Sequence, residues 1–232
     1  MADYKRELEL LNLVQKTASN PDSVLATIDK YCWDNNRFVI HFPVAKQCPL
    51  STYIQRFRMM HVGDRKGEYL DSVIQQHQPR RVLELGTYCG YSATRIARLL
   101  PEGGRLYTVD PSPLQSLVAD KVVAKAGLSE RVIFVNKRSD EAFLEFDPST
   151  PFDLIFIDHD KPLYLPDLKT ILDKGLLKSG GVVVADNVIL FNSEQYLDFV
   201  RNSGKFSKSE LFKGKLEYDE EREDGMEISV LA

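Results

Sequence analysis

Arg81-Val82-Leu83-Glu84-Leu85-Gly86-Thr87-Tyr88-Cys89-Gly90-Tyr91-Ser92 is the stretch on which the fold of this chain turns. Residues 81–85 form a short apolar run of strand length, and 91–100 read as a helix. Two glycines lie in the join, where they let the backbone pass close to a ligand. A strand entering a helix through such a turn opens a βα unit.

The pattern repeats downstream. Strands are expected at 104–110, 131–136, 152–158 and 180–187, and helices at 113–127, 140–145 and 163–175. Gly127 is a natural helix stop, and Pro166 falls in a first turn, where proline is tolerated. Repeated βα units imply a parallel sheet with helices on both faces. Ligands on such sheets sit at the carboxyl ends of the strands, near the point where strand order reverses. A helix at 193–202 then leads to strands at 206–212 and 226–231. The acidic run Asp219-Glu220-Glu221-Arg222-Glu223-Asp224 between them reads as the solvated tip of an antiparallel hairpin.

Upstream of Pro79 the pattern is helical. The first helix places Tyr4, Leu8, Leu11 and Val14 on one side, and the second begins at Asn20-Pro21-Asp22, a cap followed by proline. Residues 37–58 contain Pro43 and Pro49, show no period, and are expected to form a loop or lid. A helix at 66–77 carries Tyr69, Leu70, Val73 and Ile74 towards a core. The chain thus reads as a single domain, 1–232. Within it, 1–78 is a helical extension that includes the loop or lid, and 79–232 is a Rossmann-like core.

Composition excludes several classes. With 232 residues, 43% hydrophobic and 28% charged, the chain can bury an ordinary globular core. A formal net charge of -4 provides no electrostatic case for nucleic-acid binding. No apolar run is long enough to span a bilayer, and the charged N-terminus lacks a secretory apolar stretch. Cys32, Cys48 and Cys89 show neither metal spacing nor a disulfide framework, which points to a reducing, cytoplasmic setting. A monomer acting on a small molecule is expected.

Chemistry-bearing residues collect at strand ends. After the first strand, Glu84 and Gly86 precede a helix start whose free amides, with the Ser92 hydroxyl, suit a carboxylate. The second strand ends in Asp110, which can accept hydrogen bonds from both hydroxyls of a ribose. A nicotinamide enzyme also places an acid there, but it usually shows GxGxxG in the first turn. The GxxxG spacing here fits a nucleoside with an amino-acid tail, S-adenosylmethionine.

The fourth strand ends in Asp158-His159-Asp160-Lys161 and the fifth in Asp186-Asn187. Asp158, Asp186 and Asn187 offer three oxygens to a hard cation such as Mg2+. A lone aspartate at a strand end is commonly a helix cap. Two acids and an amide on neighbouring strands favour the metal. Lys161, three residues beyond Asp158, can turn back as a general base. His159 alone is weak evidence for a base and suits packing or hydrogen bonding beside the cofactor.

These residues resemble the catechol O-methyltransferase family from about Val24 to Ile228. The matching motifs are Val62-Gly63-Asp64-Arg65-Lys66-Gly67, Leu83 through Ser92, Asp158-His159 with Lys161, Ala185-Asp186-Asn187-Val188, and Leu216-Glu217-Tyr218 with Asp224-Gly225. The resemblance implies a class I methyltransferase sandwich, α/β, with a seven-stranded, mostly parallel sheet and an antiparallel last strand. It implies methyl transfer from S-adenosylmethionine to one hydroxyl of a catechol held on Mg2+.

The cofactor set so implied is Met60, Val62, Glu84, Gly86, Tyr88, Ser92, Asp110, Ser139, Asp158 and His159. Met60 lies near the methyl-bearing end. The metal ligands are Asp158, Asp186 and Asn187, the base is Lys161, and Glu217 holds a catechol hydroxyl. The chain departs from the family pattern in carrying Asp160 where an aromatic gatekeeper is common and Phe191 where a proline is expected. Its adenine-binding stretch reads Asn136-Lys137-Arg138-Ser139, and its 37–58 segment is longer than usual.

Overall fold

The computed structural model describes residues 4–36, 59–191 and 193–232. The expected loop or lid at 37–58, with Cys48, lies outside the described residues. The sheet strands are β1 (Arg81–Leu85), β2 (Arg105–Val109), β3 (Val132–Val135), β4 (Phe152–Ile157), β5 (Leu177–Ala185), β6 (Phe206–Lys215) and β7 (Glu223–Leu231). Around them run α1 (Lys5–Val14), α2 (Pro21–Asn36), α3 (Gly63–His77), α4 (Tyr91–Leu99), α5 (Pro113–Lys125), α6 (Ser139–Ala142), α7 (Tyr164–Asp173) and α8 (Glu194–Asn202).

The seven strands form one sheet in the order β3-β2-β1-β4-β5-β7-β6. The first five are parallel, and β7 runs antiparallel to both of its neighbours. Chain order reverses between β1 and β4, so the crevice above those two strands is the switch point where such sheets bind ligands. The seven-stranded expectation is met, including the antiparallel last strand.

Burial explains which strands the sequence showed most clearly. Val82 through Leu85 in β1, Leu154 through Ile157 in β4 and Val182 through Ala185 in β5 are all buried. Helices cover both faces there, so these stretches are apolar apart from Glu84. Each fully buried Leu, Ile, Val or Phe contributes roughly 1.5–3 kcal/mol. The outer strand β6 alternates exposed and half-buried positions instead.

Three details differ from the sequence reading. β5 begins at Leu177 rather than near 180, and its register against β4 shifts between Phe152 and Leu154. Lys178 and Ser179, outside the expected strand, belong to it through an irregularity, with Gly180 at φ +72°. In α1 the inward residues are Leu10 and Val14, while Leu8 is 49% exposed. Leucines lie on two sides of that helix, and its packing against α2 and α5, rather than its own periodicity, selects the inner one. The third difference is the acidic run. It is not simply a solvated tip, because Asp219 and Asp224 at its two ends are buried and Asp224 is fully enclosed within β7.

α1 and α2 are tied to the core by polar contacts. The Tyr91 hydroxyl donates to Asp29 at 2.6 Å, the Tyr218 hydroxyl donates to the same carboxylate at 2.7 Å, and Tyr88 donates to Glu7 at 2.7 Å. Among the described residues no helix is long and apolar enough to cross a membrane.

Candidate active site

Asp110, Asp158 and Asp186 each lie one residue beyond a strand, with the amide still in the sheet ladder. Asp110 donates its N–H to Val135 O at 3.2 Å, Asp158 to Leu85 O at 2.9 Å, and Asp186 to Ile157 O at 3.0 Å. The ladder therefore sets where each side chain leaves the sheet. All three leave at the carboxyl edge, around the switch point. A cavity of about 870 Å³ opens there. Met60, Gly86, Tyr88, Ser92, Asp110, Ser139, Asp158, His159, Lys161, Asn187, Phe191 and Glu217 all line it. Of the other expected residues, Val62, Glu84 and Asp186 are completely buried and stand behind that wall rather than on it.

The turn after β1 is shaped for close approach. Gly86 has φ +99°, and a Cβ there would lie 2.6 Å from the Asp158 carbonyl oxygen. Tyr88 occupies the left-handed region at φ 44°. The Asp110 carboxylate braces this turn by accepting from Thr87 N at 3.3 Å and Tyr88 N at 3.1 Å, while its other oxygen accepts from Ser112 N at 2.8 Å. Burial raises the Asp110 pKa, and these amide bonds pull against the rise.

Behind Ser92 lies Glu84. Burial pushes its carboxyl up to about 8, with hydrogen bonds from Ser92 and Thr108 opposing and Asp158 and Asp110 adding to the rise. Its Oε1 is buried without a hydrogen-bond partner. A buried carboxylate oxygen left bare beside a glycine cradle fits a cationic, carboxylate-bearing ligand such as an amino-acid tail.

Across the cavity, Lys161 Nζ lies 3.0 Å from Asp158 Oδ1 and donates to the Tyr164 hydroxyl at 2.6 Å. Lys161 opens a 3-10 turn, Lys161–Leu163, that leads directly into α7. The Phe191 ring lies 5.7 Å from its Nζ. His159 Nε2 pairs with Asp167 Oδ2 at 2.7 Å, and the ring stacks on Tyr164 at 5.3 Å. That pairing orients the imidazole beside the cavity.

Burial raises the Asp158 pKa, with Lys161 and Lys66 opposing. It raises Asp186 much further, with Lys66 opposing and Asp158, Glu217 and Asp224 adding like charge. Asp186 Oδ2 is buried with no hydrogen-bond partner. Asn187 sits at φ 55°, an uncommon conformation that Asn tolerates better than most residues. Oxygen donors crowded together, one of them bare, with too little positive charge between them, fit a hard divalent cation.

Several residues escaped the sequence reading. Lys66 is fully buried and paired with three carboxylates, although lysine is normally a solvated residue. Its signal was present, because Lys66 shares one face of α3 with Leu70, Val73 and Ile74. Tyr164 and Asp224 join the cluster from α7 and β7. His61, Ser112 and Gln115 line the cavity without belonging to any recognised motif.

Comparison with known proteins bears on these residues. A profile described as O-methyltransferase matches residues 41–222. The chain is 42% identical over 230 residues to catechol O-methyltransferase B of Danio rerio, covering 97% of this chain and 78% of the relative. It is 35% identical over 235 residues to catechol O-methyltransferase of Bos taurus, covering 99% and 78%. Among solved structures it is similar to the O-methyltransferase TomG of Streptomyces achromogenes in complex with SAM. That match has TM-score 0.67 and 25% identity, covering 75% of this chain and 82% of that one. An O-methyltransferase from Bacillus cereus shares the fold with TM-score 0.68 at 22% identity, covering 88% and 97%.

Proposed function

The chain belongs to the O-methyltransferase family, and from this we propose that it methylates one hydroxyl of a catechol in a Mg2+-dependent reaction, with Lys161 as general base. The observation that carries the reading is one cavity of about 870 Å³ lined by two chemically unlike sets of residues. The glycine turn, Ser92 and Asp110 form one set. Asp158, Lys161, Asn187 and Glu217 form the other. The two relatives named for catechol methylation align over nearly the whole chain.

The residues divide the work. Asp110 receives the ribose hydroxyls, and the α4 start with Ser92 receives the cofactor carboxylate. Asp158, Asp186 and Asn187 hold the cation. When bound, S-adenosylmethionine would supply an electrophilic methyl group, and Mg2+ would supply a hard Lewis acid. Lys161 is placed to take the phenolic proton. Glu217 accepts a hydrogen bond from the hydroxyl that is not methylated. Met60 and Phe191 border the transfer zone, and holding the reacting atoms in line supplies much of the acceleration. Cys89 is buried and outside any disulfide, which supports a reducing compartment, and we place the protein in the cytoplasm.

A larger phenolic substrate is a second reading. A neighbouring cavity of about 570 Å³ shares Lys161, Pro162 and Phe191 with the first, which offers room for a substituent on the ring.

The test is mass-spectrometric product analysis with catechol, phenol and guaiacol at equal concentration, with and without Mg2+. Catechol should be methylated once, and far faster than the two substrates with a single free hydroxyl. Comparable rates on phenol, or efficient double methylation, would show that chelation does not select the substrate.

A further inference from the structure

Lys66 has no exposed surface, and its Nζ meets Asp186 Oδ1 at 2.7 Å, Glu217 Oε1 at 2.6 Å and Asp224 Oδ2 at 2.7 Å. An ammonium has three donors, and here each has a carboxylate. Asn187 Nδ2 donates to two of the same oxygens, Glu217 Oε1 and Asp224 Oδ2, both at 2.7 Å. Asp224 Oδ1 accepts from Leu190 N at 3.2 Å. Asp224 thus joins Lys66, Asn187 and the chain beyond β5, although it lies far from all of them in sequence.

The geometry has a consequence for two of the three groups expected to ligate the cation, Asp186 and Asn187. The oxygen and nitrogen of an amide occupy opposite branches, so fixing Asn187 Nδ2 on Glu217 and Asp224 turns Oδ1 the other way. Asp186 Oδ1 accepts from Lys66 and also from the main-chain N–H of Asn187, both at 2.7 Å. Its Oδ2 is left buried and without a partner. In each ligand one branch is tied back into the protein.

We propose that Lys66 and Asp224 are positioning residues, a buried clamp that presents Asp186 Oδ2 and Asn187 Oδ1 to the cation before it arrives. The proposal rests on the cation-dependent reading above. Charge agrees with it. Asp186, Glu217 and Asp224 as carboxylates outnumber the one ammonium of Lys66 between them, so the cluster still has negative charge to offer a divalent ion. A fixed internal cation also keeps the acids from repelling one another apart when the metal is absent.

The experiment is Mn2+ titration followed by electron paramagnetic resonance, with S-adenosylmethionine binding by calorimetry, on wild type, Asp224→Asn and Lys66→Arg. Asp224→Asn is close in shape, but its amide nitrogen must face either Lys66 or the Leu190 N–H, so one contact is lost. Lys66→Arg keeps the charge and replaces a tetrahedral head with a planar fork that cannot meet three carboxylates from one atom. Both variants should bind Mn2+ about 10- to 100-fold more weakly, the usual effect of losing a group that orients a ligand. Affinity for S-adenosylmethionine should hold. Variants that bind Mn2+ as tightly as wild type would overturn the clamp and leave the cation reading standing. A parallel loss of S-adenosylmethionine affinity would make the two residues general supports of the fold and would also overturn it. A wild type that binds no Mn2+ would remove both the clamp and the cation reading.

Discussion

The Nζ of Lys161 lies 2.6 Å from the Tyr164 hydroxyl, which itself donates to the main-chain carbonyl of Asp186 at 3.1 Å. The proposed base is therefore braced against the strand end that carries a proposed metal ligand. Tyr164 has 1% exposure, so this brace is shielded from water. Lys161→Met should lower kcat by roughly 10²- to 10⁴-fold, the range for loss of a general base. Tyr164→Phe removes both of these hydrogen bonds, each worth about 1 kcal/mol, and should lower kcat roughly five- to thirtyfold. Neither should change the Kd for S-adenosylmethionine. Steady-state kinetics with calorimetry checks both, and full activity in Lys161→Met would assign the base elsewhere.

Asp110 holds three backbone amides of the β1 and β2 turns and faces the cavity. Asp110→Ala removes a charged acceptor worth roughly 1.5–3 kcal/mol, so affinity for S-adenosylmethionine should fall about ten- to a hundredfold. Freeing the amides of Thr87, Tyr88 and Ser112 should also lower the Tm by several degrees. Calorimetry and thermal melts separate the two effects. An unchanged Kd would place the cofactor elsewhere.

Metal dependence follows from Asp158, Asp186 and Asn187. Chelation with EDTA should abolish turnover, and Mg2+ or Mn2+ should restore it. Asp158→Ala should remove activity while sparing S-adenosylmethionine binding, because the contact facing Gly86 is the Asp158 main-chain carbonyl, which the substitution keeps. Undiminished turnover in metal-free buffer would end the cation mechanism.

Glu84 gives the protein a pH signature. Burial raises its carboxyl from 4.5 to about 8 in the folded chain. Between those values the folded state keeps a proton that the unfolded state releases, so this residue makes stability fall as pH rises through the window. Glu84→Gln removes that penalty, which by pH 8.5 is on the order of a few kcal/mol. Melting curves should therefore diverge in favour of the variant between pH 5 and 8.5. Parallel curves for the two proteins would refute the buried-proton argument.

The sheet was legible because its central strands are buried on both faces. Val82 to Leu85, Leu154 to Ile157 and Val182 to Ala185 are apolar apart from Glu84, and glycines or acids punctuate their ends. Asp110, Asp158 and Asp186 could be found for the same reason. A polar residue one step beyond a buried strand has few places to point, and in a parallel sheet those places converge.

Packing between distant segments decided the rest. Leucines on two sides of α1 left its inner face undetermined until packing against α2 and α5 buried Leu10 and Val14 and left Leu8 in solvent. An acidic run such as 219–224 carries no local sign that Asp224 will be enclosed, since a buried carboxylate is tolerable only with a partner, and that partner is 158 residues away. Lys66 is the converse case. Its place on the apolar face of α3 follows from helical spacing, but whether a lysine there is an error or a clamp depends on Asp186, Glu217 and Asp224 arriving from three other parts of the chain. Periodicity and turn chemistry act over a few residues, so they determine the strands, the helices and the strand-end acids. Neutralising a buried charge is a property of the folded neighbourhood, so only the tertiary structure determines which charges share the site.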